Sequence, residues 1–259
     1  MAPIRERVLE GARIQPGDTV LDAGCGDGLV AFGALQLVGD DGAVIFDDIS
    51  EELLDVCREI ADGDRRCTFV NAPVTNLPLA DEAVDVVTLR SVAIYVPEKQ
   101  RAFDEIFRVL EPGGRLSLFE PVNSFGYPEA DDRFFGVRVP DELRDASERV
   151  KNVWRSIDLP EYRAMHDWVE RDLISWVERA GFGRIAYDVR YDVKPADVVA
   201  NYDVRIRQAG NPLIPTLDEA LDEALSPEER QRFEAWLRPR AEAGDGVWRT
   251  AHGYLVAIK

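Results

Sequence analysis

The chain has 259 residues, 46% of them apolar, so it can bury a substantial core as one domain or as a domain with an appended cap. Its formal net charge is −18 at pH 7, and no run of Lys or Arg is present that could follow a phosphate backbone. This balance argues against nucleic acid as a partner and against docking on anionic membranes.

The sequence favours a cytoplasmic protein with no membrane insertion and no bound metal. No apolar segment approaches the roughly 18 residues of a membrane span, and the N-terminus lacks a signal-peptide pattern. Cys25, Cys57 and Cys67 are odd in number and lack the spacing of metal ligands or of a disulfide framework. We therefore expect reduced thiols.

The chain begins with a helix, a strand and a glycine-rich turn. Apolar spacing predicts a helix over 4–12, and a buried apolar run predicts a strand over Thr19–Ala23. Three alternating glycines follow, namely Gly24, Gly26 and Gly28. A second helix is predicted over 29–38, and its first amides would point back at a ligand near the turn. Strand, glycine turn and helix form half of a nucleotide-binding unit.

The same alternation continues to about residue 120. Strands are predicted over 43–46, 67–70, 85–89 and 116–119, and helices over 51–61 and 97–110. Ser50 is a good N-cap for the first of these helices. A turn over 111–115 precedes the strand that begins at Leu116.

The spacing of the glycines resembles the first motif of the class I S-adenosylmethionine (SAM)-dependent methyltransferases, Asp22-x-Gly24-x-Gly26-x-Gly28. A dinucleotide site would instead place glycine at position 29, which is Leu29 here. SAM carries no pyrophosphate but has a cationic amino group and a sulfonium, which a carboxylate at the strand end could hold. The turn Leu110-x-Pro112-Gly113-Gly114-x-Leu116 is a second signature of the family. The resemblance is greatest to the quinone-biosynthesis type and covers residues 4 to about 120.

The resemblance implies an α/β fold. It consists of a Rossmann-like seven-stranded sheet, mostly parallel with an antiparallel last strand, with helices on both faces and an inserted helical cap. Residues 1–120 would form the SAM-binding half of the core, 121–166 a first cap insertion, and 167–191 a core helix and the sixth strand. Residues 192–251 would form a second insertion and 252–259 the last strand. We expect both insertions to stand over the active site as a substrate cap, with helices over 217–225 and from Ser226 onward. Their aromatic residues either line the substrate pocket or form the small core of the cap itself.

The resemblance also implies the cofactor, SAM, its product S-adenosylhomocysteine, and a set of cofactor-binding residues. Asp48 lies 20 residues beyond Gly28, where an acid at the end of the second strand accepts the ribose hydroxyls. The neighbouring Asp47 is an alternative that strand alternation points to the opposite side. Pro73 stands where the family carries the acid that meets adenine, so adenine would rely on backbone near Val74, on Asn71 or Asn76, or on a changed pocket. The full expected set is Asp22, Gly24, Cys25, Gly26, Gly28, Asp48, Ile49, Ala72, Pro73, Val74, Arg90 and Ser91.

Methyl transfer needs a general base only if the acceptor must lose a proton. His252, at the start of the predicted last strand, is the first candidate for this role or for a hydrogen bond to the substrate, and His166 is the second. Tyr95, after the fourth strand, and Tyr127 follow as candidates.

These features predict an enzyme that methylates a small, partly apolar molecule at O, N or C, with secondary metabolism as one interpretation. The expected form is a monomer or homodimer. A SAM-dependent cyclase and a SAM-binding regulatory subunit are the alternatives. A nicotinamide dehydrogenase is disfavoured by Leu29 and by the Pro112-Gly113-Gly114 turn.

Overall fold

The computed structural model describes residues 2–209 and 214–259. The chain divides into two compact units, which are described separately here. The first comprises Met1–Val122, Trp168–Arg190 and His252–Lys259, and the second comprises Asn123–Asp167 and Tyr191–Ala251.

A seven-stranded sheet organises the first unit. In chain order the strands of the protein are β1 (Thr19–Ala23), β2 (Ala43–Asp48), β3 (Cys67–Asn71), β4 (Val84–Arg90), β5 (Leu110–Pro121), β6 (Arg133–Phe134), β7 (Val137–Arg138), β8 (Arg184–Pro195) and β9 (Val247–Ile258). The sheet has the order β3-β2-β1-β4-β5-β9-β8, and the short β6 and β7 pair with each other in the second unit.

Strand direction determines where the site lies. The pairs β1–β2, β2–β3, β1–β4 and β4–β5 are parallel, whereas β5 and β9 are antiparallel. The predicted Rossmann-like sheet is therefore confirmed. Because the carboxyl ends of parallel strands meet at one edge, the turns after β1, β2 and β4 lie together there.

In the sequence, helices lie between and before these strands. They are α1 (Ala2–Ala12), α2 (Ala31–Leu35), α3 (Glu51–Ala61), α4 (Lys99–Val109), α5 (Arg144–Arg155), α6 (Pro160–Ala164), α7 (Glu170–Ala180), α8 (Tyr202–Arg205), α9 (Leu217–Ala224) and α10 (Pro227–Ala243). Ser50 caps α3 as predicted, since its side chain accepts a hydrogen bond from the backbone N–H of Leu53. Within the described residues no helix is both long and apolar enough to cross a membrane.

The core of the first unit is built from the apolar faces of the strands. Val20, Val44, Phe46 and Val86 are fully buried and pack against Ala34 of α2 and its neighbours. Burial of each large apolar side chain contributes about 1.5–3 kcal/mol, which fixes the strands that carry the site.

The predicted helix over 29–38 is wrong in length, because regular helix covers only Ala31–Leu35. The chain leaves Gly28 with φ +77°, and the carboxylate of Asp22 then accepts the backbone N–H of Ala31 at 3.0 Å. This side-chain acceptor fixes the first turn of the helix at Ala31.

The predicted turn over 111–115 is also different, since it belongs to an irregular part of β5. Val84 pairs with Leu110 and Val86 with Arg115, so the intervening residues of β5 bulge out of the pairing. Gly113 has φ +83°, a conformation that glycine adopts without steric cost. Several bounds also shift: α4 begins at Lys99, β8 extends beyond residue 191 to Pro195, and β9 begins at Val247.

The second unit has its own helical core. Its buried side chains come from α5, α9 and α10 and include Val150, Leu221, Phe233 and Trp236. Arg149 of α5 donates to the Glu229 carboxylate at 2.5 Å, and Glu229 also completes the capping box of α10 with Ser226. The helix predicted over 217–225 is confirmed at Leu217–Ala224, and that from Ser226 at Pro227–Ala243.

Candidate functional site

The glycine turn after β1 has an open backbone at its centre. Gly24, Gly26 and Gly28 have φ values of +68°, +56° and +77°, which side-chain-bearing residues rarely adopt. A Cβ on Gly24 would lie 2.5 Å from a methyl of Val92, and one on Gly28 would lie 2.6 Å from the ring of Phe32. At Gly26 a Cβ would meet nothing within 4 Å. The first and third glycines therefore allow close packing, whereas the second leaves space for a ligand.

Asp48, the last residue of β2, is joined to this turn. Its Oδ2 accepts the backbone N–H of Gly26 at 2.8 Å, and its Oδ1 accepts that of Ser50 at 2.9 Å. The side-chain amide of Asn71 donates to the carbonyl oxygen of Asp48 at 2.9 Å. Each carboxylate oxygen has a further lone pair with which it can accept a ribose hydroxyl. Asn71, one candidate for adenine recognition, thus fixes the end of β2.

Asp22 is almost fully buried at 2% exposure, and both of its oxygens have partners. Oδ2 accepts the backbone N–H of Ala31, and Oδ1 accepts the hydroxyl of Thr88 at 2.7 Å. Burial raises the pKa of Asp22 to about 7, although both hydrogen bonds oppose that shift. These contacts give Asp22 a part in shaping the turn, and its contact with a cationic cofactor group stays a prediction.

Asp47 also reaches the turn and is 1% exposed. Its carboxylate accepts the backbone N–H of Gly24, and its carbonyl oxygen accepts that of Cys25 at 2.8 Å. Oδ1 has no hydrogen-bond partner among the described residues. Burial, and then the charge of Asp48, raise the pKa of Asp47 to about 8. Two successive acids of β2 therefore support the turn, one at Gly24 and one at Gly26.

Two thiols contact the same turn, and apolar residues follow the ends of β2 and β3. Ile49 is 76% exposed although it is a large apolar residue, while Ala72 and Val74 are buried and Pro73 is exposed. The thiols of Cys25 and Cys57 donate to the carbonyl oxygen of Gly26 at 3.7 and 3.4 Å. Burial raises the pKa of both thiols. Sequence reasoning missed Cys57, which lies on α3 and carries no motif.

The loop after β4 is hydrogen-bonded to the carboxylate of Glu120, a residue that the sequence did not indicate. Ser91 has φ +57°, and its N–H donates to the carbonyl of Phe119 at 2.9 Å. The carboxylate of Glu120 accepts the next backbone N–H groups, those of Val92, Ala93 and Ile94. The only sequence signal is an acid that ends the apolar run of β5.

Tyr95 ends the short helix that follows this loop and is 39% exposed. Burial raises its pKa, and the nearby charge of Glu120 adds to that shift. Arg90, the last residue of β4, is half-buried. Arg90 thus ends β4, Tyr95 follows it by five residues, and the roles of both stay predictions.

His252 lies inside β9 and not at its start, since that strand begins at Val247. It pairs with Pro121, the last residue of β5, which places it at the carboxyl end of that parallel strand. Its ring centroid is 5.6 Å from that of Phe119 and 5.9 Å from that of Tyr254.

His166 belongs to the second unit and lies beside two tyrosines. Its ring centroid is 4.2 Å from that of Tyr127, and Nδ1 is 3.1 Å from the carbonyl oxygen of Tyr162. A carbonyl accepts only, so Nδ1 carries the proton and Nε2 has the lone pair. The hydroxyl of Tyr162 donates to that of Tyr127 at 3.1 Å. Burial lowers the pKa of His166, which favours the neutral imidazole.

The residues at the glycine turn fit SAM. The open backbone at Gly26 admits a ligand, Asp48 can accept hydroxyl hydrogens, and exposed Ile49 offers an apolar surface beside it. No group of three or more His, Cys, Asp or Glu residues in the described ranges is arranged to hold a metal ion.

Comparison with known proteins assigns part of the first unit to one type of domain. Residues 21–118 match a family model described as a methyltransferase domain. The demethylmenaquinone methyltransferase of Clavibacter sepedonicus is 31% identical over 180 residues, which are 66% of this chain and 68% of that protein. The arsenite methyltransferase of Halobacterium salinarum is 42% identical over 120 residues, which are 46% of this chain and 31% of that protein.

The chain therefore spans less than a third of the Halobacterium protein, and less than half of several quinone-biosynthesis C-methyltransferases that it matches. Among solved structures, the YcgJ protein of Bacillus subtilis has a TM-score of 0.59 at 16% identity. That comparison covers 100% of this chain and 99% of the other and shows a shared fold.

Proposed function

The chain belongs to the class I SAM-dependent methyltransferases, and from this premise we propose that it methylates a small, partly apolar molecule. The observation that carries the proposal is the hydrogen bond from the Gly26 N–H to the Asp48 carboxylate at 2.8 Å. It joins the two halves of the family's cofactor motif in one site. When bound, SAM supplies a methyl group that its sulfonium has already activated.

The residues of the chain then have to bind, orient and exclude water. Asp48 accepts the ribose hydroxyls, the backbone at Gly26 lies against the cofactor, and Ile49 covers the adenine. Adenine is recognised through backbone near Val74, because the side chain of Pro73 has no atom that can accept a hydrogen bond from the adenine amino group. His252, Tyr95 and His166 are the candidates that would remove a proton from the acceptor or hold it.

The acceptor is proposed to be a carbon, nitrogen or oxygen centre and not trivalent arsenic. Arsenic(III) is bound by thiolates, and the pKa values of Cys25, Cys57 and Cys67 are all raised by burial. We propose that this acceptor is a partly apolar organic molecule of the kind found in secondary metabolism. We further propose a cytoplasmic enzyme, a monomer or homodimer, that has no nucleic-acid partner.

A second candidate function rests on Pro73, which is exposed at the position of the family's adenine acid. A changed adenine pocket is compatible with a SAM-dependent cyclase or a SAM-binding regulatory subunit. These alternatives share SAM binding with the main proposal but predict no transfer of the methyl group.

The first test is calorimetric titration of the purified chain with SAM, with S-adenosylhomocysteine and with NAD. Micromolar binding of both adenosyl ligands and none of NAD is the expected result. Radiolabelled SAM is then supplied with panels of small aromatic and polyketide-like acceptors, and labelled product is separated by chromatography. Binding without labelled product from any panel would favour the alternatives, and the absence of adenosyl binding would overturn both.

A further inference from the structure

Glu120, the residue before the last one of β5, has a buried carboxylate that accepts three successive backbone N–H groups. It is 0% exposed. Its Oε1 accepts the N–H groups of Val92 and Ala93 at 2.9 Å each, and its Oε2 accepts that of Ile94 at 3.3 Å. Consecutive amides that converge on one anion form the kind of concavity that binds phosphates elsewhere. Here a side chain of the protein itself fills it.

Burial of the Glu120 carboxylate costs free energy that an apolar side chain at the same position would not cost. Burial raises the pKa of Glu120 to about 7, against the effect of the three amides and of Lys99, which is itself 4% exposed. An apolar residue at position 120 would avoid that cost but would leave three buried amides without an acceptor. The acid therefore has a local purpose, namely to fix the path of the chain after β4.

The segment that Glu120 fixes carries residues of the proposed site. It runs from Ser91, whose φ is +57°, to Tyr95, and a methyl of Val92 lies 2.5 Å from the position that a Cβ on Gly24 would take. The segment is thus in contact with the glycine turn and also bears the tyrosine predicted to meet the acceptor. A shift of the segment would therefore move Tyr95 and change the contact between Val92 and Gly24.

We propose that Glu120 is a positioning residue for methyl transfer, which holds the segment Ser91–Tyr95 against the glycine turn so that Tyr95 and Arg90 meet their ligands. This inference rests on the proposed function. Glu120 touches neither cofactor nor acceptor and acts through the three amides that it binds.

Two substitutions separate this role from a general effect on folding. Glu120→Gln keeps one carbonyl oxygen, which can accept from Val92 and Ala93, but sets an NH₂ group opposite the N–H of Ile94. Glu120→Ala removes all three acceptors and can prevent folding, in which case Glu120→Gln carries the test. Glu111→Gln is the matched control, because Glu111 lies on the same strand but is exposed. Thermal unfolding confirms that each variant is folded.

Amide hydrogen exchange and steady-state kinetics are then measured on the full chain. In Glu120→Gln the peptide that contains residues 92–94 should exchange faster than in the wild type, whereas the glycine turn and the Glu111→Gln control should not change. Turnover should fall about tenfold, the equivalent of one lost hydrogen bond to a charged group, while KM for SAM changes less than about threefold. Glu120→Ala should show a larger loss of turnover.

Two results would overturn the proposal directly. Unchanged exchange at 92–94 would overturn the proposal, because the amides would not depend on Glu120. Faster exchange with unchanged turnover would also overturn it. If the wild type binds SAM but methylates no acceptor, the proposed function fails by itself. Hydrogen exchange at residues 92–94 would then decide the role of Glu120. Faster exchange in Glu120→Gln than in Glu111→Gln would support its role in holding the segment Ser91–Tyr95, and equal exchange would overturn it.

Discussion

The Oδ2 atom of Asp48 accepts the backbone N–H of Gly26 at 2.8 Å, which ties the acid that ends β2 to the one glycine of the turn after β1 whose Cβ position is open. The two residues are 22 positions apart in the chain. Their contact means that a loss at Asp48 affects both the ribose acceptor and the position of the turn. Substitutions at the two residues therefore probe one site from two directions.

Replacement of Asp48 by Ala should weaken SAM binding about 10- to 100-fold, as expected when hydrogen bonds to a charged group are lost. The free energy of unfolding should fall by only about 1 kcal/mol, since the partners of Asp48 are amides in partly buried turns. Calorimetry gives the affinity and urea denaturation gives the stability. Glu59→Ala, an exposed acid on α3, is the control. Unchanged affinity for SAM would remove Asp48 from the ribose role.

Gly26→Ala and Gly63→Ala form a matched pair. Both glycines have positive φ, +56° and +76°, and a Cβ on either would meet no protein atom within 4 Å. Each substitution should cost about 1–2 kcal/mol of stability through backbone strain. Only Gly26→Ala should also abolish measurable SAM binding, because its methyl group occupies the space for the ligand. Equal SAM affinity in the two variants would show that the cofactor does not approach Gly26.

Asp47→Asn should change the pH dependence of stability. The pKa of Asp47 is raised from 3.8 to about 8, so between these values the folded chain holds a proton that the unfolded chain has released. Wild-type stability from this group is therefore present at low pH and is lost as the pH rises through about 8. Asn cannot ionise and still offers an oxygen to the Gly24 N–H.

The measurement for Asp47→Asn is urea unfolding at pH 6 and pH 9. The stability of the variant relative to wild type should rise by at least about 1.4 kcal/mol between the two, the equivalent of one pKa unit. Asp41→Asn, at an exposed acid, should give no such change. A constant difference across this range would mean that Asp47 ionises normally in the folded chain.

The sequence predicted the parts of the site that local chemistry defines. Alternating glycines permit the positive φ values that the turn has, and an acid after a buried strand lies at the ligand edge of a parallel sheet, so Gly26 and Asp48 could be proposed without coordinates. Their spacing also disfavoured a dinucleotide turn. The sheet followed from the alternation of strand and helix patterns.

What the sequence did not reveal depends on contacts between distant elements. The role of Glu120 comes from amides 26–28 residues earlier in the chain, and no local pattern shows which acid meets them. Strand alternation predicted that Asp47 points to the side opposite Asp48, whereas both carboxylates accept backbone N–H groups of the glycine turn. Helix α5 was missed because its buried positions include Ser147 and Lys151, which weaken the apolar periodicity.

His252 and His166 are alternative candidates for the general base, and substitution of each in turn distinguishes them. Loss of the true base should lower kcat about 100-fold or more while SAM affinity changes less than threefold. His252→Asn and His166→Asn are preferred to alanine, because Asn at 166 can still donate to the Tyr162 carbonyl but cannot accept a proton at neutral pH.

The pH–rate profile adds a second criterion for His166. Because burial lowers its pKa from 6.5, the imidazole stays neutral to lower pH than a free histidine does. If His166 is the base, activity should fall on the acid side only below about pH 6.5, and His166→Asn should abolish that limb. A profile that is unchanged in both variants, together with full turnover, would show that the acceptor needs no histidine. An acceptor carbon or nitrogen that is already nucleophilic would then be favoured over one that must first lose a proton.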